Sequence, residues 1–141
     1  MNLSEKRICI TGGHGFVGQN VCELLKNDNI DFINASRKKY DLTEIESCKQ
    51  LFEDINPQVL IHLAADAGGL GYNTSYPADI FVNNILMNTN VIKTSSLYNL
   101  EKLVIINSAC AYPGYSEGTL KEDDIFNGPL HQSVEPYGFS K

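Results

Sequence analysis

This sequence of 141 residues has no apolar run of membrane-spanning length, since even the strand-like VLIHLAA is cut short. It has no C-x-x-C pair either. Cys9, Cys22, Cys48 and Cys110 are scattered, which argues against a disulfide scaffold or a clustered metal site and for a reduced, cytoplasmic protein. Positive charge is not in excess: the formal charge of -6 argues against broad binding of nucleic acid or of an anionic membrane. The opening MNLSEKRICITGG lacks the apolar stretch and the small-residue cleavage site of a secretion signal. There are no internal repeats and no low-complexity segments. What is present is an ordinary globular composition, 43% hydrophobic and 20% charged, in a length suited to one domain with a proper core.

RICIT, residues 7–11, predicts a first strand, and TGGHGFVG turns from it into a helix with Val17, Val21 and Leu24 as its apolar stripe. DFINAS predicts a second strand. In YDLTEIE, Thr43 and Glu46 are spaced as a capping box for a helix carrying Ile45, Cys48, Phe52 and Ile55, which Pro57 ends. QVLIHLAA is apolar enough for a buried parallel strand. A long helix from about Pro77 to Tyr98 is predicted to bury Phe81, Ile85 and Ile92, and KLVIINS is the next strand. Strands alternating with helices imply a doubly wound, Rossmann-like parallel sheet of the α/β class, counted here as five N-terminal strands. Cys9, Cys22 and Cys48 fall inside these elements as core residues. Residues 109–136 form a long connection rich in Gly, Pro and acidic residues, of the kind that is functional or disordered.

Gly12, Gly15 and Gly18 are spaced G-x-x-G-x-x-G, directly after a strand and directly before an amphipathic helix. That context favours a nucleotide site over a plain turn. The glycines allow close backbone approach to a pyrophosphate, and the helix N-terminus is aimed at its charge. The end of the second strand distinguishes the cofactors. NAD calls for an acidic residue there, whereas this chain has Ser36, Arg37, Lys38 and Lys39, which suit the 2′-phosphate of NADP; NAD remains the alternative.

Beyond the strands' carboxyl ends lie Ala64 and Ala65, then Ser108, then the pair Tyr137 and Lys141 in EPYGFSK, four residues apart as on one helix face. A lysine ammonium and a cationic nicotinamide beside a tyrosine would lower its pKa from near 10, and a serine hydroxyl can hold the substrate oxygen. The three histidines carry no such pattern: His14 lies in the glycine turn, His62 in a strand and His131 in the long connection.

The ordered set resembles the extended short-chain dehydrogenase/reductases (the NAD-dependent epimerase/dehydratase family), which act mostly on nucleotide sugars. The resemblance implies cofactor contacts from Gly12, Gly15, Phe16, Val17 and Gly18, and from Leu63, Ala64 and Ala65. It implies an adenine-contacting pair at Asp41 and Leu42 after a third strand, and the family's helix asparagine at Asn84. Ser108, Tyr137 and Lys141 match its catalytic triad, the last two also touching cofactor. AADAGGLG and SACAYP narrow the resemblance to GDP-L-fucose synthases and GDP-mannose 3,5-epimerases. In both, a cysteine two residues after the serine, here Cys110, moves protons next to a sugar ketone. A thiol with a pKa near 8.5 suits that exchange.

FNGPLHQSVEPYGFSK and the basic end of the second strand look like the synthases, which reduce a carbon-4 ketone with NADPH after epimerisation. The family continues past its lysine with a substrate-binding segment, which implies that residues 1–141 are its NAD(P)-binding domain without the substrate domain. On that reading this chain alone is inactive; AADAGGLGY and SACAYP look closer to the epimerases, so a GDP-mannose 3,5-epimerase or other nucleotide-sugar epimerase/dehydratase is one alternative, and a non-catalytic dinucleotide-binding half-domain is the other. The resemblance further implies a GDP-linked sugar substrate and a homodimeric parent.

Overall fold

The run from Ile8 to Thr11 is buried at every position, as a central parallel strand requires. Strand β1 (Ile8–Thr11) accordingly has a neighbour on each side. It pairs in parallel with β2 (Phe32–Ala35) and with β3 (Val59–His62), and β3 pairs with β4 (Lys102–Ile105), in the order β2-β1-β3-β4. The structure is a computed structural model that describes residues 1–116 and 118–141. It has four strands among those residues, where the sequence predicts five. The segment meant to supply the extra strand is spent on turns: the Lys39 and Tyr40 amides both donate to the Ser36 carbonyl, and the Glu44 amide donates to that of Asp41.

Two compact units divide the chain. One is Met1–Ala65 with Leu86–Ile106, and the other is Asp66–Ile85 with Asn107–Lys141. In the first unit, pleating sends alternate side chains to two cores. Cys9 and Leu60 meet Leu51 and Phe52 of helix α2 (Ile45–Ile55) and Val91 of helix α4 (Pro77–Ser95). Ile8, Ile10 and Val59 meet Cys22 and Leu25 of helix α1 (Phe16–Asn27) on the other face. The chain winds from β1 out to β2 and returns to β3 on the opposite side. The switch point of the sheet is therefore at Thr11 and His62, where ligands of such sheets lie.

Three local predictions are corrected. Helix α1 buries Gly18, Cys22 and Leu25, one residue on from the predicted stripe, and Leu24 is 64% exposed. A helix leaving the strand so abruptly needs a glycine on its contact face: a Cβ on Gly18 would collide with the Gly12 carbonyl oxygen. Helix α4 likewise buries Ile80, Asn84, Val91 and Thr94 and leaves Phe81, Ile85 and Ile92 exposed. The capping box does not form. Thr43 gives both its amide (3.0 Å) and its hydroxyl (2.7 Å) to Asp41 Oδ1, and Glu44 is the N-cap of α2 without a side-chain bond. The stop does form: α2 ends at Ile55, with Asn56 left-handed (φ 47°) before Pro57.

The second unit contains α3 (Leu70–Ser75), the first half of α4, and α5 (Glu135–Phe139). Its long connection is folded where described, through 3₁₀ turns at Ala109–Ala111, Glu122–Asp124 and Gln132–Val134, with Ala111 and Leu130 buried. No helix among the described residues is long and apolar enough to cross a membrane.

Candidate functional site

Gly12 follows β1 with φ +73°, a left-handed conformation that favours glycine, and a Cβ there would stand 2.5 Å from the Ala64 backbone nitrogen. The turn closes with the Gly15 amide donating to the Gly12 carbonyl at 3.0 Å. Helix α1 then starts with Gly15 as a cap that has no side chain, and its first turn holds no acidic residue. Its leading N–H groups therefore stay available, under the positive end of a helix of 12 residues, with Phe16 and Val17 outside the core. These features fit the pyrophosphate of a dinucleotide. His14 is exposed on the same turn.

The basic run after β2 divides by partner. Lys39 is held by Asp54 at 2.8 Å and lies 4.8 Å above the Tyr40 ring, which raises its pKa. Arg37 and Lys38 are exposed and form no ion pair among the described residues. The Ser36 hydroxyl accepts from the Lys38 amide at 3.3 Å. Asp41, with one oxygen on Thr43, is held below the usual carboxylate range mainly by those two bonds, with Arg37 contributing. Leu42 belongs to the core, and its carbonyl accepts from Asn90 Nδ2 at 3.0 Å. What positions 41 and 42 can offer a base is thus Asp41's other oxygen and the backbone.

After β3, the Leu63 amide donates to the Thr11 carbonyl at 3.0 Å, Ala64 packs on the core, and Ala65 is exposed. His62 is buried, as a strand histidine should be. Its Nε2 lies 3.1 Å from the Asn88 amide oxygen and its Nδ1 lies 2.7 Å from the Thr11 hydroxyl. Asn84 is also buried. Its amide oxygen accepts from the Asp66 backbone N–H and its nitrogen donates to the Asp66 carbonyl, both at 2.8 Å. Asn84 therefore fixes the loop that follows the two alanines.

Ser108, Cys110 and Tyr137 come together in the second unit. The Cys110 amide donates to Ser108 Oγ at 3.1 Å, and the same hydroxyl lies near enough to the Tyr137 phenol to lower its pKa. Helix α5 holds that arrangement through Gly138, where a Cβ would collide with the Cys110 carbonyl oxygen. Burial raises the Tyr137 pKa; Ser108 offsets part of the rise, and Cys110 adds to it. This reverses the lowering expected from a neighbouring lysine, because desolvation dominates and Lys141 does not contribute. Lys141 lies beyond α5, with its amide on the Gly138 carbonyl (3.3 Å) and its ammonium pKa lowered by burial. The shared helix face predicted for Tyr137 and Lys141 is not formed. The Ser140 amide reaches both Pro136 and Tyr137 carbonyls, which tightens the last turn.

Several residues carry no sequence signal of their own. Asn34 presses its amide on Gly13, and its Oδ1 is buried without a partner. Asp66 binds the Tyr72 hydroxyl (2.9 Å) and Asn83 Nδ2 (2.8 Å). Position 34 could have been noticed as the one polar residue in FINA. Among the described residues no three His, Cys, Asp or Glu side chains converge as a metal site.

Comparison with known proteins places the chain in a family. The family model described as NAD dependent epimerase/dehydratase family matches residues 8–141. The chain is 34% identical over 139 residues to a GDP-L-fucose synthase of Sinorhizobium fredii, covering 99% of this chain and 44% of that one. It is 36% identical over 143 residues to the GDP-L-fucose synthase of Dictyostelium discoideum, covering 98% and 44%. Among solved structures, a GDP-L-fucose synthetase from Naegleria fowleri bound to NADP matches with a TM-score of 0.87 and 30% identity, over 100% of this chain and 46% of that one. The chain spans less than half the length of the curated relatives it matches.

Proposed function

This chain belongs to the NAD dependent epimerase/dehydratase family, and we propose that residues 1–141 are the NADP-binding, proton-transferring part of a GDP-sugar epimerase/reductase of the fucose-synthase type. The observation that carries this reading is the gathering of Ser108, Cys110 and Tyr137, with the Cys110 amide on Ser108 Oγ and Gly138 of the tyrosine's helix packed on the Cys110 carbonyl. Bound NADPH supplies the hydride for the carbon-4 ketone. Ser108 holds the ketone oxygen, and Tyr137 delivers the proton to it. A raised pKa keeps Tyr137 protonated at neutral pH, the form a proton donor needs. Cys110 exchanges protons on the carbons flanking the ketone, and Lys141 orients the cofactor. The glycine turn takes the pyrophosphate, while Ser36 and Arg37 take the 2′-phosphate in preference to the plain ribose of NAD.

On this reading residues 1–141 by themselves bind cofactor, and turnover is tested at the length of the relatives. Free thiols throughout suit a cytoplasmic protein. The test is to give the protein, at the length of its relatives, a GDP-linked 4-keto sugar and NADPH in deuterated water. Cofactor oxidation with deuterium gained beside the carbonyl supports the reading. Oxidation without exchange leaves a simple reductase, and neither event sinks both.

A further inference from the structure

One side chain at the glycine turn has no role in the account above. Strand β2 alternates its faces, and Phe32, which packs on the α1 side of the sheet, shares its face with Asn34. An apolar residue would fill position 34 without leaving a polar atom stranded. Instead the Asn34 amide lies flat on Gly13, so closely that a Cβ there would stand 2.5 Å from its Cγ and 2.6 Å from its Nδ2. Its Oδ1 is buried and finds no donor among the described residues, an uncompensated cost in the free protein. With Oδ1 turned inward, the amide's remaining edge is the Nδ2 donor, which makes no bond within the described protein and is not among the buried unpartnered atoms.

Sites for NAD place a carboxylate near the end of this strand because the ribose hydroxyls need acceptors. Asn34 presents the reverse, an N–H donor, two residues before Ser36 and three before Arg37. A donor suits phosphate oxygens. We propose that Asn34 is a cofactor-selecting residue, its Nδ2 donating to the 2′-phosphate of NADP beside Arg37. This rests on the cofactor reading given above.

The test uses binding alone. Titrate the protein calorimetrically with 2′,5′-ADP and with ADP, then repeat with Asn34→Leu and Asn34→Asp. Asn34→Leu removes the donor and relieves the stranded oxygen, so it folds; it should weaken 2′,5′-ADP about tenfold and leave ADP unchanged. Asn34→Asp should weaken 2′,5′-ADP about a hundredfold, through repulsion added to the lost bond. In the unmodified protein, the Asn34 side-chain amide resonances should shift with 2′,5′-ADP and stay still with ADP. Equal losses for both probes in the leucine variant would mean a packing residue and overturn the assignment. An unchanged preference in that variant would overturn it too, while leaving the NADP reading intact. Failure of the unmodified protein to bind either probe would remove the cofactor reading and this inference together.

Discussion

The glycine turn and the segment carrying Tyr137 are built in opposite ways. At residues 12–18 the shape comes from backbone approaching backbone: Gly12 on Ala64 and Gly18 on Gly12, with no side chain needed. At 108–141 the shape is held by backbone contact at Gly138, but the proposed chemistry rests on half-buried side chains whose pKa values are shifted by burial. The first region should fail through sterics and take its cofactor with it. The second should lose its chemistry and keep its fold.

The sharpest break is Gly12→Ala. A left-handed φ and a backbone nitrogen at 2.5 Å leave no relaxed position for the methyl group. Urea denaturation should show a loss of about 3 kcal/mol or more, with cofactor binding gone. Gly69→Ala, which meets nothing within 4 Å, should stay within about 0.5 kcal/mol. Equal effects at the two glycines would show that the turn is not tight.

Tyr137→Phe breaks the other region. In the protein at its relatives' length, kcat should fall by about 10²–10⁴-fold. Cofactor affinity and unfolding midpoint should hardly move, since only a hydroxyl is lost. Turnover at the parent rate would remove Tyr137 from the chemistry.

A milder change tests the basic run. Arg37→Ala should weaken NADP(H) about tenfold by calorimetry and leave NAD(H) unchanged. Lys39→Ala should do less, because Lys39 is already held by Asp54. A larger effect at Lys39 would assign the phosphate to the wrong cation.

Which of these features the sequence displays depends on whether size or polarity decides the packing. Apart from the extra strand that is turn instead and the unpredicted helix α3, the order of strands and helices, the glycine turn and the stop at Pro57 are legible, because each follows from a residue's own backbone preference. The buried faces of α1 and α4 are not. Hydrophobicity points to Val17, Leu24, Phe81 and Ile92, whereas close approach selects Gly18, and backbone pairing with Asp66 selects Asn84. The Thr43 capping box fails for a related reason: Asp41, two residues earlier, captures the threonine first. The Ser108–Tyr137 partnership is legible as a set of residue types. The direction of the tyrosine's shift is not, since burial has no sequence signature.

The last comparison is within the first unit, by pH. Burial pushes the Cys9 thiol up to about 12 and that of Cys48 up to about 11, both from 9.0. The folded chain keeps protons that the unfolded chain releases above about pH 9. This contribution is therefore complete below that pH and is lost as pH rises through the raised values. Chemical denaturation should show a falling midpoint in that window, shallower in Cys48→Ala, and a flat profile would contradict the burial.

The same burial makes the protein selective toward reagents. Cys9, Cys22 and Cys48 are enclosed, and Cys110 is the thiol left partly open. A maleimide applied briefly to the native protein should modify one site, giving a single mass increment that maps to the peptide around Cys110. A fluorophore or spin label can thus be installed beside Ser108 without first removing any other cysteine.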